Sequence, residues 1–301
     1  MNERIVILGA TGMIGHYIYK QLIKDFNPSN IFYLTSKSYN NIKKFKFFRV
    51  DNGYFEINYS EFKNLNNLIN DLKPEFIINC CGLTKKKCIG SNIDQINNIN
   101  IKLPKFLSEN AKINNYKYIH LSSDCVFSGK KGEYKTNDIK DASDLYGVSK
   151  SKSEYLNKST LILRKSTIGL ELFDEKHGLV EWFLSQNGII KGYKNAIFNG
   201  LTTKELSKLI VFIIKKFPYL NGIYHVGSDS ISKYDLLSNI MSNLKNIKKN
   251  IMIEPYEDFY CNRSLDCSDF YNITKYVKPN WTEMLNDLNK EILNNYYYDF
   301  K

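Results

Sequence analysis

Ile5-Val6-Ile7-Leu8-Gly9-Ala10-Thr11-Gly12-Met13-Ile14-Gly15 is the stretch that decides the fold. Its first four residues form a short, unbroken apolar run ending in glycine, which suits a strand buried on both faces. Apolar residues at Ile14, Ile18 and Leu22 then predict a helix over 14–23. A glycine-rich loop between such a strand and such a helix is what a dinucleotide requires. One glycine makes the tight turn, a second lets the backbone approach the pyrophosphate, and a third lets the helix pack on the strand. The helix N-terminus then meets the negative charge with free N–H groups.

Working outward, strand-like runs recur at 31–34, 76–78, 118–121 and 161–163, separated by helical patterns at 94–111 and 146–156. Pro104 should bend or start part of the first of these helices. This alternation implies βαβ units with right-handed crossovers and a parallel sheet. Residues 45–59 should hold one more strand, with no pairing assigned. Beyond Arg164 the rhythm changes. Thr202-Thr203-Lys204-Glu205 is a capping box ahead of an apolar helical stripe, 223–226 reads as a strand, and 233–244 and 281–293 read as helices. The expected class is α/β, a Rossmann doubly wound parallel sheet with a smaller C-terminal α+β substrate-binding region. Residues 1–165, with about 196–227, form the cofactor domain in this reading; 166–195 and 228–301 form the other part. Tyr296-Tyr297-Tyr298 is either a frayed tail or a subunit contact, the latter giving a homodimer.

The composition fits. At 301 residues, 43% hydrophobic and 24% charged, the chain has ordinary globular make-up for about two domains. Lys+Arg 42 against Asp+Glu 31 gives +11, which invites an anionic partner. Nucleic acid and a nucleotide or phosphorylated ligand are candidates, but the basic residues form no stripe with interleaved aromatics beyond Lys85-Lys86-Lys87 and Lys43-Lys44, so most are read as solvated surface and nucleic acid is not expected. Six cysteines without a C-x-x-C pair point to a reducing compartment. The N-terminus has no signal-peptide pattern, and the longest apolar run, 209–214, is far short of a membrane span. A cytoplasmic protein without membrane attachment is expected.

After the second strand the chain continues Thr35-Ser36-Lys37. An acid there would bind the ribose 2′-hydroxyl of NAD; a hydroxyl and an ammonium suit a 2′-phosphate, so NADPH/NADP is the expected cofactor. Tyr146-Gly147-Val148-Ser149-Lys150 opens a predicted helix, and i, i+4 spacing puts phenol and ammonium on one face. The ammonium should lower the phenol pKa, so that the Tyr passes a proton to a carbonyl. Leu121-Ser122-Ser123-Asp124 ends a strand, where a Ser hydroxyl can polarise the same carbonyl. Asn79-Cys80-Cys81-Gly82 ends another.

The G-x-x-G-x-x-G loop resembles that of extended short-chain dehydrogenases/reductases, and Asn79-Cys80-Cys81-Gly82 resembles their cofactor-lining N-A-A-G segment. Ser122 to Gly129, Asp144 to Lys150, Arg164 to Gly169 and Ser264-Leu265-Asp266 resemble segments of dTDP-4-dehydrorhamnose reductase-type enzymes. That family reduces a 4-keto-6-deoxy sugar on a nucleoside diphosphate. The resemblance implies a catalytic Ser123, Tyr146 and Lys150. It also implies cofactor contacts from Gly9, Thr11, Gly12, Met13, Ile14, Gly15, Ser36, Lys37, Cys80, Cys81 and Gly82, with Asn58 where the family places an adenine-contacting Asp. The segment 177–186 is more similar to a subgroup acting on UDP-2-acetamido-2,6-dideoxyhexos-4-uloses, so the expected partner is a UDP- or dTDP-linked sugar. Cys125 and His177 match positions that GDP-fucose synthases use as an epimerising acid/base pair, which would add C3 epimerisation. Otherwise Cys125 is a buried filler thiol and His177 a helix-start imidazole. Lys85, Asp124, Asn199 and Arg263 are candidate substrate contacts. The competing functions are an NAD-dependent sugar-nucleotide 4-epimerase or 4,6-dehydratase, and a non-catalytic NADP-sensing subunit.

Overall fold

The computed structural model describes residues 2–244 and 250–294. Seven parallel strands form one sheet in the order Gly222–His225, Thr160–Arg164, Lys117–Leu121, Phe76–Asn79, Ile5–Leu8, Ile31–Leu34, Gly53–Tyr54. The chain builds outward from Ile5–Leu8 in one direction, then returns and builds the other way from Phe76–Asn79. The switch point lies between those two strands, where a doubly wound sheet opens a crevice at its carboxyl edge. This is a Rossmann fold.

Burial on both faces follows from the side-chain alternation. Ile5 and Ile7 pack with Ile18, Leu22, Leu206 and Ile210, while Val6 and Leu8 pack with Leu65, Ile69, Leu103 and Leu107 on the opposite face. A separate core of Ile168, Val180, Phe183, Leu236, Ile240 and Leu285 holds the second half together. There Gly188–Tyr193 pairs with Ile251–Tyr256, and Ala196–Phe198 lies between Ile231–Ser232 and Cys261–Asn262. Helix Thr203–Lys216 and strand Gly222–His225 return to the large sheet.

Three expectations are adjusted. The strand within 45–59 shrinks to Gly53–Tyr54, because Phe45 and Phe48 turn into the core, Phe48 stacking on Tyr19 with ring centroids 4.9 Å apart. The helix beginning at Leu145 ends at Lys152 rather than near 156. Glu154 is drawn instead to Arg164, whose Nε and Nη2 each donate to its carboxylate at 2.8 Å. The capping box is half formed: Thr202 Oγ1 accepts from Glu205 N, but the Glu205 carboxylate accepts from Tyr276 Oη. Residues 296–298 lie outside the described residues. Among the described residues no helix is long and apolar enough to cross a membrane.

Candidate active site

The glycine loop is fixed by close backbone approach. Gly9 has φ +71°, and a Cβ there would meet Cys81 N at 2.9 Å; a Cβ on Gly15 would meet Gly9 O at 2.2 Å. Side chains are therefore excluded at the turn and at the helix–strand contact. Thr11 and Thr35 hydroxyls lie 2.8 Å apart and tie this loop to the end of the second strand. The resulting cleft, about 440 Å³, is lined by Gly9, Thr11, Gly12, Met13, Ile14, Ser36, Lys37, Asn58, Cys80, Cys81 and Gly82. Of the expected cofactor residues, Gly15 packs beneath the loop, and Tyr146 and Lys150 lie deeper in.

Ile14, Cys80, Cys81, Gly82, Leu83 and Thr84 are shared between this cleft and an inner cavity of about 90 Å³, where Tyr146, Lys150 and Lys165 line the wall. Asp144 caps the helix that carries the first two, its carboxylate accepting from Gly147 N at 3.1 Å. Lys150 Nζ donates to Leu121 O at 2.8 Å. Burial, and then Lys165, push the Lys150 ammonium down to about 7. The expected lowering of the Tyr146 pKa is not what the structure gives. Burial drives the phenol well above the ordinary tyrosine value, with a Ser123 hydrogen bond pulling the other way. The phenol therefore keeps its proton and is a loaded donor.

The two adjacent serines have different surroundings. Ser122 Oγ donates to Glu154 at 2.7 Å and belongs to the Arg164 network. Ser123 Oγ donates to Asp124 Oδ1 at 3.0 Å, accepts from Cys125 N at 3.1 Å, and interacts with the Tyr146 phenol. Ser123 thus reaches the Tyr146 phenol, while the serine that lines the inner cavity with Tyr146 and Lys150 is Ser122.

Cys125 and His177 are placed in different surroundings. Cys125 sits beside Asp124, Arg263 and Tyr146, and burial pushes its thiol up to about 12 although Arg263 opposes this. His177 lines the outer cleft, its Nδ1 3.3 Å from the Glu175 carboxylate and its backbone N–H donating to Glu171. Asn199 is corrected from a substrate contact to a structural residue: it is buried, with Nδ2 donating to Leu265 O and Oδ1 accepting from Leu265 N. Lys85 pairs with Asp144 at 3.2 Å, which leaves it at the rim. Arg263 Nε donates to Phe127 O at 2.9 Å, aiming the guanidinium toward Asp124 and Cys125. Lys37 lies 3.4 Å from Glu175, and Asn58 Nδ2 donates to Glu61.

Four contributors escaped the sequence reading. Tyr59 Oη donates to Leu34 O at 2.7 Å and accepts from Gly9 N at 2.9 Å, stapling the glycine loop. Asn100 bonds both backbone groups of Leu83 and donates to Ser149 Oγ at 2.9 Å. A π-helical turn, Asn97–Lys102, aims it there, just ahead of Pro104 in the first turn of Leu103–Ile113. A proline that removes a helical donor makes such a register change cheap. Glu175 holds Lys37 and Lys87 (2.7 Å), and Lys165 enters the inner cavity. The available signals were Pro104 after an Asn-rich run and the cation directly following Arg164.

The family model for the RmlD substrate binding domain matches residues 3–294. The chain belongs to that family. A dTDP-4-dehydrorhamnose reductase of Aggregatibacter actinomycetemcomitans is 29% identical over 254 residues, 77% of this chain and 76% of the relative. Methionine adenosyltransferase 2 subunit beta of Bos taurus is 26% identical over 153 residues, spanning 51% of this chain and 42% of that protein. Among solved structures, dTDP-4-dehydrorhamnose reductase of Bacillus anthracis in complex with NADP superposes with a TM-score of 0.75 at 20% identity, covering 97% of this chain and 100% of the other. That likeness is one of fold.

Proposed function

We propose that the protein is an NADPH-dependent reductase of the 4-keto group of a nucleoside-diphosphate 4-keto-6-deoxy sugar. The observation that carries this reading is the continuity of the glycine-loop cleft with a cavity lined by Tyr146 and Lys150, the Tyr146 phenol interacting with Ser123. The cleft fits a dinucleotide, since its loop excludes Cβ atoms and opens onto a helix N-terminus. Gly9, Thr11, Gly12, Met13 and Ile14 would hold the pyrophosphate side, and Ser36 and Lys37 a 2′-phosphate. When bound, the cofactor supplies the hydride. Ser123 polarises the carbonyl oxygen, Tyr146 delivers its proton to that oxygen, and Lys150 orients the ribose side. Residues 1–165 with about 196–227 are the cofactor part in this reading, and 166–195 with 228–301 the sugar-nucleotide part. Lys85 at the rim and Arg263, with the buried Asp124 beside it, suit the sugar and its diphosphate, and a UDP-linked 2-acetamido-2,6-dideoxyhexos-4-ulose is the substrate we favour.

NADPH oxidation is to be followed with UDP- and dTDP-linked 4-keto-6-deoxy sugars. Turnover with the UDP-acetamido sugar is expected; failure with all of them refutes the reductase reading. Epimerisation by Cys125 and His177 is the second activity considered, supported by Cys125 lying beside Tyr146. The protonated thiol and the outer position of His177 weigh against it. Deuterium at C3 or C5 of the ketone, without NADPH in D2O, would establish it. A non-catalytic NADP-sensing subunit is the other reading, to which the methionine adenosyltransferase relatives lend only that they are named as a subunit, alike over about half of this chain; Ser123, Tyr146 and Lys150 all being present favours catalysis.

A further inference from the structure

We infer that Lys165 makes the site discriminate between the redox states of its nicotinamide cofactor, favouring the reduced form because only the oxidised ring carries a positive charge. The inference rests on the reductase reading above. Lys165 follows strand Thr160–Arg164 and lines the same inner cavity as Tyr146 and Lys150. Those two lysines are the charged groups of that lining, and no carboxylate joins them among the described residues. Lys150 is moored to Leu121 O, whereas the Lys165 ammonium has no hydrogen bond or ion pair among the described residues.

The surroundings leave an excess of positive charge. Asp124 is the acid beside Lys165, and it is shared with Arg263 and with the Ser123 hydroxyl at 3.0 Å. Cys80 and Cys125 are also neighbours, but burial pushes each thiol up to about 12, so neither brings a negative charge at neutral pH. Burial also lowers the Lys165 pKa, as expected of an ammonium held away from water, with Asp124 opposing the shift.

Hydride and proton reach the two ends of one carbonyl. The ring that carries the hydride therefore belongs beside the phenol that carries the proton, in the cavity that Lys165 lines. A fixed cation near a nicotinamide repels the oxidised ring and leaves the neutral reduced ring alone, so it tunes the cofactor's electronics through binding. NADPH is then held more tightly than NADP+, and the spent cofactor is released more readily.

The test measures binding without sugar, by titrating the purified protein with NADPH (fluorescence) and NADP+ (calorimetry). The quantity read is the ratio of the NADP+ to the NADPH dissociation constant, which is insensitive to any loss of folded protein. In Lys165→Met, and in Lys165→Gln as a second variant, this ratio should fall roughly tenfold, about 1.4 kcal/mol. A ratio within twofold of that of the unaltered protein overturns the inference and leaves the reductase reading standing. Equal weakening of both forms also overturns it, because Lys165 would then serve the phosphates that both forms carry. Binding of neither form by the unaltered protein overturns the inference together with the reductase reading.

Discussion

The Lys150 ammonium donates to the carbonyl oxygen of Leu121 at 2.8 Å, so the lysine of the Y-x-x-x-K helix is moored to the strand that delivers Ser123. One hydrogen bond fixes two segments that are 29 positions apart in sequence. It holds a cation in a place where burial disfavours charge.

That cost is measurable. Lys150 has its pKa pushed down to about 7 in the folded protein, against 10.5 when unfolded. The folded state therefore binds fewer protons between those values. The penalty is complete below about pH 7, where both states are protonated, and it vanishes as pH rises through about 10.5, where both are neutral. Lys150→Met should abolish reduction yet stabilise the protein by on the order of 2 kcal/mol at pH 6, with the gain shrinking toward pH 10. Urea unfolding at both pH values checks this; a gain that grows with pH would contradict it.

Tyr146→Phe should slow reduction by about 10²-fold or more, the usual scale of a lost general acid, while NADPH binding stays intact. Steady-state rates and a fluorescence titration on the same preparation separate the two effects. Because burial keeps the phenol protonated, the rate should show no fall from phenol ionisation up to pH 10.

Glu175 places one carboxylate between Lys37 and Lys87, at 3.4 and 2.7 Å. Burial acts the other way, yet Lys87 and then Lys37 hold its pKa below the ordinary glutamate value. It therefore competes with a 2′-phosphate for Lys37. Glu175→Gln should tighten NADPH binding several-fold and NADH binding less. Lys37→Asp should reverse the preference for NADPH. Kinetics with both cofactors decide this; NADH preferred by the unaltered protein would contradict the assignment of Lys37.

Gly15→Ala should destabilise the protein by about 2 kcal/mol, in the range of core overpacking, and weaken cofactor binding. The added Cβ would sit 2.2 Å from Gly9 O and 2.8 Å from Ala10 Cα, both backbone atoms that cannot swing aside. Denaturant midpoint and NADPH titration report the two effects. Gly12→Ala should be milder, since its Cβ would meet Gly9 O at 3.4 Å.

Local pattern determined much of this protein. The apolar run Ile5–Leu8 with its glycine loop, the alternation of strands and helices, and the Tyr146–Lys150 spacing are short-range signals. Each is set by backbone geometry and side-chain periodicity within a few residues, and the matching elements formed where those signals lie. What sequence could not supply was the field and the partners that distant segments bring together. Tyr146 was expected to have a lowered pKa because a lysine lies four residues on; burial, a tertiary property, reverses that direction. Asn199 reads as a polar contact for a sugar, but Leu265, 66 positions away, engages both ends of its amide. Cys125 and His177 were paired by resemblance, and the fold gives them separate neighbours. Glu175 reads as an ordinary charged residue because nothing local marks it, and Lys165 is marked only by its place directly after Arg164. Their significance comes from the inner cavity and the cleft that the doubly wound sheet opens at its switch point, where desolvation and long-range packing, rather than spacing along the chain, decide which charges meet.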